Sequence, residues 1–299
     1  MVTPPFLITG DVVGIVSTAR KITTHELQPF LKLLESWGLN FVLGATINSE
    51  HHQFAGDDTL RAKDFQQMLD NPEIKAIWCA RGGYGTVRII DYLDITSFRN
   101  NPKWIIGYSD VTVLHSQIHS FEIETLHANM AIEIDTKTDA TRDSVREVLF
   151  GSKYEIKIPS EENILNRTGV AQGQLVGGNL SLLYSLIGSP SEVKTEGKIL
   201  FIEDLDEMLY HIDRMMQNLK RNGLLKNITA LVVGGMNDMR DNTIPYGKTA
   251  QEIVLEAVSE YRYPVCFDFP AGHIDDNRAL IMGREATLKV SENEILLRF

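Results

Sequence analysis

The chain has 299 residues, which is enough for one large domain or two of ordinary size. Its 40 acidic and 29 basic residues leave a formal net charge of −11 at pH 7. An acidic surface repels phosphate backbones, and no apolar run approaches the length that spans a bilayer, so we expect neither a nucleic-acid nor a membrane partner.

The N-terminus and the cysteines together predict a cytoplasmic protein. Residues 1–10 have neither the basic region nor the long apolar region of a secretory signal. Cys79 and Cys266 lie in separate apolar runs, with no C-x-x-C motif and no disulfide framework. Such cysteine usage suits a reducing compartment.

Short apolar runs alternate with helical patterns through the first half of the chain. The predicted strands are 12–16, 40–43, 74–79 and 104–106. The predicted helices are one from the Thr23–Glu26 capping box to Gly38, 59–69 behind an Asp58 cap, 86–92, and 111–118. This alternation predicts a parallel sheet covered on both faces, with functional residues at the carboxyl ends of its strands.

The pattern changes in the second half, beyond a polar, turn-like segment at 159–163 that we predict to be a linker. The predicted strands there are 171–176, 198–202, 230–233, 265–269, 286–290 and 294–298, and one clear helix covers 208–222. We predict an α/β protein with an N-terminal parallel-sheet domain over 1–160. A smaller β-rich C-terminal domain with one or two helices follows over 170–299.

One turn carries the serine of greatest chemical interest. Gly107-Tyr108-Ser109-Asp110 joins a predicted strand to a predicted helix, which puts the Ser109 hydroxyl near the free N–H groups of the helix start. This is the arrangement of a nucleophile elbow, although the sequence is not G-x-S-x-G. The alternative is a serine that only caps the helix.

A serine nucleophile needs a base, and the base needs an orienting acid. Of the eight histidines, His273 is the best placed, because Pro270 and Gly272 confine it to a tight turn after a predicted strand. Glu203 lies directly at the end of the predicted strand 198–202, where it could orient that base. An ordinary loop histidine and an acidic helix N-terminus are the alternatives.

Paired glycines follow the predicted strand 74–79. Gly82 and Gly83 let backbone N–H groups turn toward a ligand, as oxyanion-hole donors together with the N–H of Asp110. A phosphate loop is disfavoured, because the segment has neither a G-K-[ST] ending nor the G-x-G-x-x-G pattern. A simple turn is the remaining alternative.

Five segments carry a family resemblance when they are read in chain order. They are Arg81-Gly82-Gly83-Tyr84-Gly85, Gly107-Tyr108-Ser109-Asp110, Gly177-Gly178-Asn179-Leu180, Phe201-Ile202-Glu203-Asp204 with Ile212-Asp213-Arg214, and Gly272-His273 with Leu280 and Gly283. Together they resemble the LD-carboxypeptidase family (peptidase family S66, muramoyltetrapeptide carboxypeptidases). The resemblance covers nearly the whole chain and implies an N-terminal α/β domain followed by a β-rich domain.

The resemblance also implies a reaction. Family members are serine hydrolases with a Ser–Glu–His triad, which maps onto Ser109, Glu203 and His273. They remove the terminal D-alanine from muropeptide tetrapeptides in peptidoglycan recycling through an acyl-enzyme. The implied partners are a muropeptide substrate and a second copy of the chain in a homodimer, and neither a cofactor nor a metal is required.

Substrate contacts are less clearly marked. The D-alanine carboxylate needs a cationic or N–H-rich partner, for which Arg81 and Arg278 are candidates, with structural ion pairs as the alternative. Tyr84 and Asn179 complete the predicted substrate-binding set. Family members usually carry His-Gly-Pro where this chain has 127–129 as His-Ala-Asn, a change that leaves the triad intact and bears on the substrate pocket.

Three other functions compete with this prediction. A microcin-C-type immunity peptidase cleaves an aminoacyl-nucleotide amide and uses an aromatic residue of its C-terminal domain, whereas Trp37, Trp78 and Trp104 all lie in the first half. A metallohydrolase would use His115 and His119, spaced i, i+4. In this hypothesis His127, which follows in the chain, is the third ligand. The helix is expected to be packed in the interior of the protein, which argues against a metal site there. A non-catalytic muropeptide-binding protein would not need the intact triad residues.

Overall fold

A computed structural model describes residues 1–160 and 163–299, in two compact units. The first unit is Met1–Lys153 with Asp275–Ile281, and the second is Tyr154–Ile274 with Met282–Phe299. The predicted domain bounds, 1–160 and 170–299, place Asp275–Ile281 in the second domain, whereas the structure places this segment in the first unit. The predicted linker contains Glu161 and Glu162, which lie outside the described residues.

A six-stranded sheet forms the centre of the first unit. Its strands are β1 (Val12–Val16), β2 (Asn40–Leu43), β3 (Ile74–Cys79), β4 (Trp104–Gly107), β5 (Thr125–His127) and β11 (Leu280–Met282), in the order β11-β5-β4-β3-β1-β2. The pairs from β5 to β2 are parallel. Its helices are α1 (Thr24–Ser36), α2 (Asp58–Asp70), α3 (Thr96–Asn100), α4 (Thr112–His119) and α5 (Asp139–Leu149).

Burial along the central strands shows that both faces of this sheet are covered. All four residues of β4 are buried, as are the last four of β1. Successive side chains of a strand point to opposite faces, so uninterrupted burial requires packing on each face. The predicted parallel-sheet α/β domain is confirmed.

Two local predictions were wrong. The side chain of Asp57, not Asp58, caps α2 by accepting the N–H of Leu60, while Asp58 pairs with Arg61 and Arg88. The predicted helix 86–92 is a pair of short 3-10 turns, Thr86–Arg88 and Ile90–Tyr92. A single turn is too short for the helical period to distinguish 3-10 from α geometry.

The second unit is built on a seven-stranded mixed sheet. Its strands are β6 (Glu155–Pro159), β7 (Gly169–Asn179), β8 (Ile199–Leu205), β9 (Ala230–Asn237), β10 (Val265–Cys266), β12 (Glu285–Val290) and β13 (Glu294–Arg298), in the order β10-β9-β8-β7-β12-β13-β6. The pairs from β7 to β10 are parallel, and those from β7 to β6 are antiparallel.

Within the described part of this unit, three helices pack with the sheet, where we predicted one or two. They are α6 (Leu180–Ser185), α7 (Leu209–Arg221) and α8 (Ala250–Ala257). The helix predicted over 208–222 is confirmed as α7, and its Ile212, Met216 and Leu219 are buried in the core of the unit. Among the described residues, no helix combines the length and the apolar character needed to cross a membrane.

Candidate active site

Ser109 lies in a sharp turn at the carboxyl end of β4. Its φ of +59° is left-handed, an arrangement that costs a non-glycine residue about 1 kcal/mol or more. A 3-10 turn over Ser109–Val111 leads from this point into α4. Among the residues that the structure describes, no side chain caps either helical segment, so Ser109 does not serve as a helix cap.

Gly82 lies next to Ser109 because β3 and β4 are adjacent and parallel, so their carboxyl ends meet at one edge of the sheet. A Cβ built on Gly82 would lie 3.6 Å from the Cβ of Ser109 and 2.9 Å from the Cε of Met130. On Gly83, whose φ is +109°, a Cβ would lie 2.6 Å from the Nε of Arg20. A side chain is therefore strained at Gly83, and the backbone at Gly82 lies close to the serine.

The loop after β5 packs against the same two turns. The N–H of Ala128 donates to the carbonyl of Gly107 over 3.1 Å, and the side chain of Met130 reaches Gly82. Asn129 is buried, and its amide donates to the carbonyl of Met130 over 2.7 Å. The loop that departs from the His-Gly-Pro pattern thus contacts the turn that carries Ser109.

Buried Glu203 and partly exposed His273 form an acid–imidazole pair in the second unit. The Nδ1 of His273 lies 2.7 Å from Oε2 of Glu203, and the backbone N–H of His273 donates to the same oxygen over 3.2 Å. Glu203 is fully buried at the end of β8, and its Oε1 has no hydrogen-bond partner among the described residues. A proton on Nδ1 that faces the carboxylate leaves Nε2 as the basic nitrogen of the ring.

A neighbour that sequence reasoning missed fixes the same histidine. The Nδ2 amide of Asn237 donates to the carbonyl of His273 over 2.6 Å. Asn237 ends β9, which is paired with β8, so it reaches the same end of the sheet as Glu203. Its position directly after a buried apolar run was the available signal.

Asp204, beside Glu203, faces a different set of partners. It accepts hydrogen bonds from the Nδ2 of Asn179 and from the N–H of Ser181, each over 2.9 Å. Burial, and next the charge of Glu203, raise the pKa of Asp204 to about 7. The folded chain therefore keeps a proton on this carboxyl at pH values where the unfolded chain releases it.

That difference predicts a pH-dependent stability. Between about pH 4 and pH 7 the folded state holds more protons, so the free energy of unfolding falls as pH rises, by roughly 2–4 kcal/mol from this group. Asp204→Asn cannot titrate, so its decline between pH 4.5 and pH 8 is expected to be smaller by about that amount. Urea unfolding at both pH values measures this, and equal declines in the two proteins would contradict the assignment.

Three of the predicted substrate-binding residues belong to the first unit and one to the second. Arg81 lines a cleft of about 310 Å³ near the start of α1, where its Nη1 lies 3.3 Å from Oε1 of Glu26. Tyr84 is 48% exposed. Arg278 makes a bidentate pair with Asp276, and Asn179 caps α6 by accepting the N–H of Leu182. These contacts are structural, and substrate binding by the four residues stays a prediction.

The three clustered histidines do not form a metal site in the structure. Within residues 1–160 and 163–299, no group of three or more His, Cys, Asp or Glu side chains is arranged to hold a metal ion. Both ring nitrogens of His115 are engaged, by the hydroxyl of Thr125 over 2.8 Å and by the carbonyl of Gly107 over 2.9 Å. Burial lowers the pKa of His115 to about 4, so the ring is a neutral part of the core.

Comparison with known proteins identifies the family. The model of the LD-carboxypeptidase N-terminal domain matches residues 13–128, and that of the LD-carboxypeptidase C-terminal domain matches residues 172–288. A probable murein peptide carboxypeptidase of Bacillus subtilis is 34% identical, over 98% of this chain and 93% of the relative. The chain belongs to the LD-carboxypeptidase family. As a member of this family it is an enzyme, a serine-type carboxypeptidase.

Solved structures agree with this fold. A muramoyltetrapeptide carboxypeptidase from Oxalobacter formigenes superposes with a TM-score of 0.87 at 26% identity, covering 96% of this chain and 97% of that one. The microcin C7 self-immunity protein MccF also gives a TM-score of 0.87, at 23% identity and with 98% and 97% coverage. The second likeness establishes a shared fold.

Proposed function

We propose that this LD-carboxypeptidase family member removes the terminal D-alanine from the tetrapeptide of muropeptides, with Ser109 as nucleophile, His273 as base and Glu203 as the acid that orients the base. The observation that carries the proposal is the 2.7 Å hydrogen bond between Glu203 and His273. It gives the imidazole the tautomer that a general base requires. The left-handed turn at Ser109 is the second support.

The first chemical step forms an acyl-enzyme. The Nε2 of His273 accepts the hydroxyl proton of Ser109 while Oγ bonds to the carbonyl carbon of the L,D-peptide bond. The buried carboxylate of Glu203 stabilises the imidazolium that results. The imidazolium then gives its proton to the amine of D-alanine, and the C–N bond breaks.

Backbone donors stabilise the oxygen on which negative charge develops. We assign this role to the N–H of Asp110 and to that of Gly82 or Gly83. This assignment is supported by the close approach of Gly82 to Ser109. Loss of one such donor typically costs about 10²- to 10³-fold in kcat.

Water completes the reaction. His273 accepts a proton from the attacking water, and the tetrahedral intermediate then releases the shortened peptide as Ser109 regains its proton.

Arg81 is the candidate partner for a substrate carboxylate, because its pair with Glu26 is partly exposed and long, at 3.3 Å. Arg278 is the weaker candidate, since Asp276 already holds its guanidinium at two nitrogens.

Mass spectrometry of a MurNAc-tetrapeptide, incubated with the wild type and with Ser109→Ala, tests the proposal. Loss of one D-alanine in the presence of the wild type alone is the expected result. No loss with either protein would contradict a carboxypeptidase acting on this substrate. Loss with both would contradict the serine mechanism, and sensitivity of that activity to EDTA would identify a metal enzyme.

Cleavage of an aminoacyl-nucleotide amide is the alternative. Likeness to the MccF structures supports only a common fold, at 23% identity against the 34% of the murein peptide carboxypeptidase relative. All three tryptophans of this chain belong to the first unit, and Trp78 and Trp104 are fully buried. A nucleotide substrate offered beside the tetrapeptide in the same assay separates the two reactions. The cytoplasmic location and the homodimer stay predictions.

Gly272 gives a prediction that links the acid–imidazole pair to turnover. A Cβ on Gly272 would lie 2.7 Å from Oε2 and 2.8 Å from the Cβ of Glu203, at a φ of +106°. Gly272→Ala must therefore displace the carboxylate from His273, and we expect kcat to fall by about tenfold or more. The initial rate of D-alanine release measures this.

Gly223→Ala is the matched control. Gly223 has a φ of +80° and no atom within 4 Å of its added Cβ. Its substitution is expected to lower stability by about 1 kcal/mol through backbone conformation alone, with kcat unchanged. Equal kcat values for the two variants would contradict the role given to the contact with Glu203.

A further inference from the structure

The side chain that follows Ser109 is bound to the glycine loop after β3. Asp110 is 1% exposed, and its Oδ2 accepts the backbone N–H of Thr86 over 2.8 Å. Thr86 directly follows Gly85, at the end of the loop that contains Gly82 and Gly83. One carboxylate therefore joins the turn of the nucleophile to the loop that lies against it.

A buried cation holds the same loop from its other side. Arg61 is 1% exposed, and its Nη1 donates to the carbonyl of Gly85 over 3.0 Å and also to the carbonyl of Thr18. The peptide units at Gly85 and Thr86 are thus fixed by a guanidinium and by a carboxylate. A Cβ on Gly85 would lie 2.5 Å from Nη1 of Arg61, so the loop approaches the cation as closely as a glycine allows.

This network is costly to bury, which distinguishes it from a surface ion pair. Transfer of a carboxylate from water is unfavourable unless hydrogen bonds and opposite charge compensate for it. Burial raises the pKa of Asp110, whereas the hydrogen bonds from Thr86 and Gly85 and the charge of Arg61 lower it. Oδ1 of Asp110 has no hydrogen-bond partner among the described residues, so the compensation is incomplete.

We propose that the side chain of Asp110 is a positioning residue that fixes the Gly82–Gly83 loop against Ser109, so that the backbone donors of the oxyanion hole are preorganised. The inference rests on the proposed function. It assigns to the carboxylate a role separate from that of the Asp110 backbone N–H. Gly82 and Gly83 carry no side chains of their own that could set their distance from the serine.

A positioning role of this kind affects kcat rather than KM. Oxyanion donors strengthen their interaction only as charge develops in the transition state, so their displacement leaves ground-state binding nearly unchanged. A shift of about 1 Å in a reacting group can cost about 10²-fold in rate. Asp110→Asn keeps one oxygen acceptor but removes the negative charge that Arg61 attracts, and we expect kcat to fall by about tenfold or more with KM within about twofold of wild type.

The experiment measures kcat and KM for D-alanine release from the tetrapeptide, together with Tm. Thr86→Val changes the loop end of the same network, since it removes the hydroxyl that bonds to Thr18 but keeps the N–H that donates to Asp110. We expect it to lower kcat by about threefold or more at unchanged KM. This variant tests the inference even where Asp110→Asn does not fold.

Asp64→Asn is the matched control. Asp64 is 2% exposed, much like Asp110, and its carboxylate accepts hydrogen bonds from two loop N–H groups, that of Ala45 over 2.9 Å and that of Thr46 over 2.8 Å. That loop follows β2, the outermost strand on its side of the sheet. Asp64→Asn is expected to lower Tm and leave kcat at the wild-type value.

The outcomes separate the inference from the proposed function. The inference is supported if the wild type releases D-alanine and kcat is reduced in Asp110→Asn and Thr86→Val but not in Asp64→Asn. If the wild type releases D-alanine but both site variants keep its kcat, the inference is overturned and the proposed function stands. The same holds if kcat falls as much in Asp64→Asn as in the site variants. If the wild type releases no D-alanine, the proposed function fails and the inference fails with it.

Discussion

Ser109→Ala is expected to lower kcat for D-alanine release by about 10⁴-fold, with KM and Tm close to those of the wild type. The substitution removes the only protein atom that bonds to the substrate carbonyl carbon in the proposed mechanism. Stability is expected to change little, because Ser109 caps no helix and alanine meets nearly the same cost at a φ of +59°. Steady-state kinetics and thermal unfolding measure the two effects.

Ser116→Ala is the control for this prediction. Ser116 is a buried serine of the adjoining α4, and its Oγ has no hydrogen-bond partner among the described residues. Loss of that hydroxyl should leave kcat within about twofold of the wild type. Near-normal turnover by Ser109→Ala would remove Ser109 from the mechanism, whereas a large loss in Ser116→Ala would show that the assay responds to packing near the turn.

Glu203→Gln should lower kcat by about 10²- to 10⁴-fold at nearly constant KM. A glutamine amide cannot stabilise the imidazolium of His273 by charge. If its NH₂ group faces Nδ1, the ring takes the tautomer with a proton on Nε2 and no longer accepts a proton from Ser109. If its oxygen faces Nδ1, the NH₂ group occupies the position of Oε1, where the described part of the chain offers no partner.

The chain provides a control with the same chemistry. An oxygen of Glu207, just before α7, lies 2.6 Å from Nδ1 of His211 in the first turn of that helix, and the pair is half-buried. Glu207→Gln breaks a carboxylate–imidazole contact of nearly the same length and is expected to keep wild-type kcat. Equal losses in Glu203→Gln and Glu207→Gln would mean that the effect is structural, and would contradict the role of Glu203 in the reaction.

Features that depend on near neighbours in the chain could be predicted from the sequence. The alternation of apolar runs and helical patterns in the first half predicts the parallel sheet, and β1, β2 and β3 have the predicted bounds. The turn at Ser109 could also be predicted, because strand, turn and helix follow one another within about a dozen residues. The cap of α2 could be predicted only to within one residue. Asp57 and Asp58 both offer a carboxylate, and the backbone conformation decides which of them accepts the N–H.

Choices between alternatives at one residue needed the folded backbone. The φ of Ser109 and the cap positions around it decide against a capping role, and neither is encoded in the residue type. Substrate binding by Asn179 stays a prediction, but only the structure shows that its amide bonds to Asp204 and that its oxygen caps the start of α6. A family resemblance matches stretches of sequence, whereas the hydrogen-bond partners of each side chain depend on how the fold packs.

By itself, the sequence determined the α/β class of the chain, its family and the identity of the residues suited to acid–base and nucleophilic chemistry. Only the tertiary structure decided which of them meet. Glu203 and His273 are 70 residues apart, and their 2.7 Å contact requires β8, the parallel strands beside it and the absence of a Cβ at Gly272. The physical reason is that strand bounds follow from local periodicity, whereas a hydrogen bond across the sheet depends on strand order and close packing, which no local pattern carries.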